Sequence, residues 1–238
     1  MAKAETTVVL VHGAWADGSS WGRVIPLLQA KGHRVIAVQI PLTSVEDDFA
    51  ATKRIIADTK GPIVLVGHSW GGMAITQAGN DPKVMALVYV SAFAPDVGES
   101  GGSLIGGHPT PPALSTVVTD SSGFVYQTDQ GMIENVAPDL PTAEARVLAV
   151  TQGRLAGKAF EQTVAVAAWK AKPSWYIVTA EDRVVSIELQ TASAKRMKAK
   201  TTFINASHMS ILSRPHDVAS VIGEAVAAVV PTAELATY

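Results

Sequence analysis

The stretch Ile63-Val64-Leu65-Val66-Gly67-His68-Ser69-Trp70-Gly71-Gly72 constrains this chain more than any other. Four apolar, mostly β-branched residues read as a buried strand. Gly-x-Ser-x-Gly follows at once, and residues 72–78 read as a helix. A strand that turns so sharply into a helix strains the backbone of the turn residue and exposes its side chain at the carboxyl edge of the sheet. Gly67 and Gly71 flank Ser69 by two on each side, where a Cβ would crowd the turn. Ser69 is therefore the candidate nucleophile. The competing reading is a glycine turn that only packs helix on sheet.

The rest of the chain supplies the sheet that such a turn needs. Residues 6–11, 34–38, 63–66, 84–90, 174–179 and 201–205 read as strands. Helical spacing fills the gaps between the first four. One helix covers 21–31, tolerates Pro26 in its first turns and stops at Gly32. A second opens at Asp47 or Asp48 and closes at Gly61-Pro62, and the helix after Ser69 is stopped by Asp81-Pro82. This alternation calls for an α/β fold, a parallel sheet of about six strands with helices on both faces. After residue 94 the regularity breaks in a run of glycines and prolines. We therefore divide the chain into a first core part, 1–94, an insertion, 95–172, that covers the carboxyl edge of the sheet, and a second core part, 173–238. Within the insertion, 124–126 reads as extended, and 140–149 (with Thr142 as N-cap) and 158–168 as helices. Phe124, Tyr126, Met132, Phe160 and Trp169 suit an apolar pocket wall. Later, Ser186 caps a helix with a basic end, and 213–230 forms a final helix broken by Pro231.

Composition removes several function classes. Of the 238 residues, 47% are hydrophobic and 17% charged, as in a globular domain, and the formal net charge of -2 implies no broad basic face for nucleic acid. Cysteine is absent, which excludes disulfides, a cysteine nucleophile and thiolate metal sites, and is compatible with a cytoplasmic location. The amino terminus runs straight into a strand, leaving no room for a signal peptide, and no apolar run reaches the length of a membrane span. The six histidines show no metal-ligand spacing, no Gly-x-Gly-x-x-Gly follows the first strand, and no Walker-type loop is present. We expect no cofactor and no metal. The oligomeric state is left open.

Open α/β sheets bind ligands at the carboxyl ends of their strands. His12-Gly13, Ser69, Asp182 and His208 all fall there. A serine hydroxyl needs a base near neutral pKa, and a carboxylate to orient that base. His208 is the candidate base over His12, His33, His68, His108 and His216, since His68 should point away from Ser69 and the others belong to strand starts, other loops or a helix start. Asp182, two residues past a strand end, is the candidate acid, with Glu181 and then Asp96 behind it. Backbone N–H groups must meet the developing oxyanion. Trp70 supplies one, and Ala14 or Trp15 the other, with Gly13 allowing close approach. The side chains of Trp15, Trp70 and Met209 then become pocket walls, joined from the insertion by Phe124 and Trp169.

At this point the residues resemble the α/β-hydrolase superfamily over nearly the whole chain. Val11-His12-Gly13-Ala14-Trp15, Trp21, Pro26-Leu27-Leu28, Gly32-His33, Gly67-His68-Ser69-Trp70-Gly71-Gly72 and Ser207-His208-Met209 are similar to the group of plant methyl esterases and hydroxynitrile lyases with their bacterial relatives. The resemblance implies an α/β-hydrolase fold with a cap insertion and cofactor-free hydrolysis of a small-molecule ester. It implies Ser69 as nucleophile, His208 as base, Asp182 as acid, and Ala14 and Trp70 as oxyanion donors. Lyases of the group carry a threonine in the loop after the first strand and a lysine just after the histidine. Here Val11 precedes His12-Gly13, and Met209 follows His208, which argues against cyanohydrin cleavage.

Overall fold

The structure, a computed structural model, describes residues 6–229. The expectations for the first five residues and for Val230 and Pro231 lie outside them. In chain order the first half runs β1 (Thr7–Val11), α1 (Ile25–Ala30), β2 (Arg34–Val38), α2 (Val45–Asp58), β3 (Ile63–His68), α3 (Gly71–Ala78) and β4 (Val84–Val90). Next come α4 (Gly101–Gly106), β5 (Val117–Thr119), β6 (Phe124–Gln127), α5 (Asp129–Gly131), α6 (Thr142–Thr151) and β7 (Leu155–Ala156). The chain then returns through β8 (Ser174–Thr179), α7 (Ile187–Met197), β9 (Lys200–Ile204), α8 (Ser210–Ser213) and α9 (Pro215–Val229).

Six strands form one parallel sheet in the order β2-β1-β3-β4-β8-β9. Every residue of β1 and β3 is buried, which is why both strands are nearly continuous runs of Val, Ile and Leu. Register brings their carboxyl ends level: Val11 pairs with Gly67, and His68 with Val90. Helix α3 follows β3 into the core and buries every residue but Gln77. Helices α2 and α3 pack together, as do α1 and α9. The chain between β4 and β8 holds a separate three-stranded antiparallel sheet, β5-β6-β7, among short helices.

Helix ends differ from the sequence reading where side chains offer a better partner. Ser44, not an aspartate, caps α2, its hydroxyl accepting from Asp47 N–H. Ser186 caps α7 as expected, accepting from Leu189 N–H. Gly32, at φ +81°, ends α1 in the left-handed region. Pro141, not Thr142, precedes α6, and no side chain caps it. The helix expected over 158–168 is instead a short 3-10 turn, Gly157–Glu161, followed by irregular chain and a second turn, Ala168–Lys170. Thr163 bridges Ser100, and Val164 exchanges hydrogen bonds with Gly98 and Glu99. That β-branched stretch gains more from these tertiary partners than its weak helix propensity offers.

Candidate active site

Ser69 stands at the β3–α3 turn with φ +53°, a left-handed conformation that a residue with a Cβ rarely adopts. Three backbone bonds hold it there. Its N–H donates to Val90 O at 3.1 Å, and its carbonyl accepts from Gly72 N–H at 3.0 Å and Phe93 N–H at 3.1 Å. The glycines around it are required by space. A Cβ on Gly67 would lie 2.8 Å from Gly71 O, and one on Gly71 would lie 2.6 Å from both Val11 O and His12 O. The loop after β1 comes so close that a Cβ on Gly13 would lie 2.7 Å from Ser69 Cβ and 3.2 Å from Oγ.

That loop is pinned by His12. Ile40 N–H donates to its Nε2 at 3.1 Å, so its Nδ1 carries the proton and donates to Gly13 O at 2.8 Å. Burial lowers its pKa and keeps the ring neutral. The loop's two candidate donors separate cleanly. Trp15 N–H is spent on Gly153 O at 2.9 Å. Ala14 N–H and Trp70 N–H have no hydrogen-bond partner among the described residues and remain available to a developing oxyanion.

His208 follows β9, four residues past its end, and is 2% exposed. Its Nδ1 lies 2.8 Å from Asp182 Oδ2, and the Asp182 side chain is fully buried. Oδ2 also accepts from Thr179 Oγ1 at 2.9 Å and Gln190 Nε2 at 2.9 Å. Oδ1 accepts from the N–H groups of Val184 at 2.8 Å and Val185 at 3.0 Å. Burial alone would raise the Asp182 pKa, but the charge and hydrogen bond of His208 and the two N–H groups outweigh it and leave it below the ordinary carboxylate range. An ionised Asp182 makes Nδ1 of His208 the donor and leaves Nε2 with the free lone pair. Ser69 Oγ makes no hydrogen bond to His208 among the described residues. Such contacts are commonly long in free enzymes and tighten with substrate.

Glu181, Asp96, His216 and His68 are placed otherwise. Glu181 is exposed, and Asp96 pairs with Lys170 at 2.5 Å. His216 is exposed in the first turn of α9. His68 points away from Ser69, yet it is not idle. Its Nε2–H donates to His208 O at 2.9 Å, and the two rings lie 4.7 Å apart. Burial and the neighbouring His208 push its pKa down to about 3, so it stays a neutral prop.

Above Ser69 lies a cavity of about 20 Å³. Ala14, Trp15, Trp70 and Phe93 line its core side, and Ile105, Leu114 and Phe160 its outer side. Trp15 and Trp70 are thus where the sequence placed them. Phe124, Met209 and Trp169 do not line it. Phe124 pairs with Ala156 in the small sheet, Met209 is buried at the start of α8, and Trp169 donates to Pro95 O at 2.8 Å beneath Arg196. Ile105, Leu114 and Phe160 are the insertion's contribution. Gln190, Thr179 and His68 carry no motif that marks them, although Gln190 sits four residues after the Ser186 cap, on the buried side of α7. Among the described residues no group of three or more His, Asp or Glu is placed to hold a metal ion.

Comparison with known proteins bears on the fold and the family. The family model described as "Alpha/beta hydrolase family" matches residues 8–221. A pyrethroid hydrolase of Sphingobium wenxiniae is 26% identical over 92% of this chain and 87% of its own. Methylesterase 2 of Arabidopsis thaliana is 33% identical over 41% of this chain and 43% of its own, and an alpha-hydroxynitrile lyase of the same plant 35% identical over 37% and 40%. Among solved structures, a pyrethroid hydrolase from Sphingobium faniae superposes with a TM-score of 0.80 at 23% identity, covering 94% of this chain and 98% of its own. Polyneuridine aldehyde esterase does so with a TM-score of 0.80 at 21%, covering 92% and 98%. This chain belongs to the alpha/beta hydrolase family.

Proposed function

We propose that the protein is a carboxylic ester hydrolase that acts through an acyl intermediate on Ser69. The observation that carries this reading is the buried His208–Asp182 pair, at 2.8 Å, whose histidine ring lies 4.7 Å from that of His68, the residue before a serine held at φ +53°. In this reading His208 Nε2 takes the Ser69 proton as Oγ attacks the ester carbonyl. The oxyanion of the tetrahedral intermediate is met by Ala14 and Trp70 N–H. The imidazolium, stabilised by Asp182, returns the proton to the departing alcohol. Water then repeats the sequence on the acyl-enzyme and frees the acid. The relatives named as a carbendazim hydrolyzing esterase and a methylesterase support the bond class, and the one named as a pyrethroid hydrolase supports hydrolysis.

The cavity sets the substrate's shape. Its walls are apolar, so the acyl group is small and apolar. At about 20 Å³ it holds roughly one water molecule. An ester enters only when the 95–172 segment, which contributes Ile105, Leu114 and Phe160, moves outward as a cap. The test is hydrolysis of p-nitrophenyl esters from acetate to octanoate by wild type and Ser69→Ala. Turnover that disappears with Ser69→Ala is expected. Turnover that survives the substitution would show that the reaction does not run through this serine.

A further inference from the structure

One fully buried ionisable side chain near the cavity has no part in the chemistry above. Asp48, in the first turn of α2, is 0% exposed. Burying a carboxylate costs stability unless its oxygens are satisfied. Helix capping does not require it, because Ser44 caps α2 and the exposed Glu46 and Asp47 already place negative charge in the same turn. Its two oxygens reach in two directions. Oδ2 accepts the indole Nε1–H of Trp70 at 2.9 Å, and Oδ1 accepts Leu42 N–H at 2.7 Å.

Each partner leads to the cavity. The Trp70 ring forms part of its wall and meets Phe160 edge-on, with centroids 5.2 Å apart. It has no slack on the far side, where a Cβ on Gly101 would lie 2.8 Å from its Cζ3. Leu42 is held at φ +61°, a strained conformation for a residue with a branched side chain. Its carbonyl accepts from Ala156 N–H of β7 at 2.8 Å, and its Cδ1 lies 3.0 Å from where a Cβ on Gly153 would be. Gly153 O in turn receives Trp15 N–H at 2.9 Å.

We propose that Asp48 is a positioning residue that sets acyl-chain selectivity: its buried carboxylate holds the Trp70 indole in the wall beside Ser69 and, through Leu42, ties that wall to the segment 153–156, whose Gly153 carbonyl holds Trp15. Burial raises its pKa to about 6, opposed by the bonds from Trp70 and Leu42, so it remains an anionic acceptor at neutral pH. The assignment rests on the ester-hydrolase reading.

The test is the ratio of kcat/KM for p-nitrophenyl octanoate to that for acetate in wild type, Asp48→Asn, Trp70→Phe and the double variant. An amide at position 48 has one acceptor oxygen for two donors, so its NH2 opposes either the indole N–H or Leu42 N–H, and the wall shifts at that partner. Asp48→Asn is expected to lower the ratio at least ~5-fold, with kcat for acetate within about 3-fold of wild type. With Trp70→Phe the indole N–H is gone and one oxygen suffices for Leu42 N–H, so adding Asp48→Asn changes the ratio by less than about 2-fold. An equal shift in both backgrounds, or a lowered Tm with an unchanged ratio, overturns the proposal and leaves the esterase reading intact. If Asp48→Asn does not fold, Trp70→Phe alone decides, since it removes the indole donor and keeps the backbone N–H; an unchanged ratio there overturns the proposal. Absence of all ester turnover in wild type sinks the esterase reading and this assignment with it.

Discussion

Asp182 gathers five donors on two oxygens, and only one of them is the histidine it is paired with. Asparagine has a single acceptor oxygen; turned to the N–H groups of Val184 and Val185 it keeps those two bonds. Asp182→Asn should therefore fold, yet present an amide N–H to His208 Nδ1 and lose the imidazolium's counter-charge. We expect kcat to fall by roughly two to four powers of ten while circular dichroism is unchanged. Glu181→Gln, on an exposed side chain, should remain near wild type; the reverse pattern would move the acid to Glu181. The same residue makes a signed prediction about pH. Its folded pKa lies below the ordinary value, so its contribution to stability is present above about pH 3.9 and is lost as pH falls through the folded pKa. The stability gap between wild type and Asp182→Asn, measured by urea unfolding, should shrink as pH falls from about 5 to below 4. A gap that widens over that range would contradict the assignment of the charge. At this scale the sequence was most legible where chemistry dictates residue type. Ser69, Asp182 and His208 announce themselves, as a serine between glycines and as polar residues at strand ends. Thr179, Gln190, His68 and Asp48 do not, because a residue that only offers a hydrogen bond to a neighbour in the proposed site is found by three-dimensional placement alone.

Strands and the turn after β3 were readable for a simple reason: a strand buried on both faces admits little but Val, Ile, Leu and Gly, and β1 and β3 obey except at Thr7 and His68, while β4 is still apolar throughout. Helices outside that sheet were less so. The 158–168 stretch is rich in alanine and valine, but its partners are Glu99, Ser100 and Gly98 rather than its own preceding turn. No local pattern encodes that choice. The glycines at element junctions show two different constraints, and substitution separates them. Gly72 is at an ordinary φ, but an added Cβ would lie 2.0 Å from Phe93 O, on the backbone that also holds Ser69. Gly72→Ala must shift a main-chain segment packed in the core, and we expect a loss of more than ~3 kcal/mol or failure to accumulate soluble protein. Gly32 has nothing within 4 Å of such a Cβ, but its φ is +81°. Gly32→Ala should cost only about 1–2 kcal/mol, from backbone strain. Denaturant unfolding of the two variants checks this, and equal losses would show that the packing around Gly72 relaxes more easily than its geometry implies.

The whole molecule poses a problem that neither residue nor element solves: a cavity of about 20 Å³ cannot admit an ester, and its outer wall belongs to the segment between β4 and β8. This was also the least legible part of the chain, since glycines and prolines announce irregularity without specifying its path. Composition marked aromatic residues there as candidate walls, but which of them face Ser69 depends on how the segment folds back: Phe160 does, and Phe124 and Trp169 do not. The difference can be measured. Each methylene of an acyl chain gains ~0.8 kcal/mol when buried, close to fourfold in kcat/KM. In wild type the gain should stop at short chains, where the acyl group meets Phe160 and Ile105. Phe160→Ala removes a ring that touches the Trp70 wall, so the gain should continue for two or more further carbons, at roughly fourfold each. Phe124→Ala, in the small sheet outside the cavity, should lower Tm without moving the chain-length optimum. If both variants move it alike, the cap takes a different path over Ser69 in solution; if neither does, the chain length is read by the core walls, Trp15 and Trp70, and the cap only excludes water.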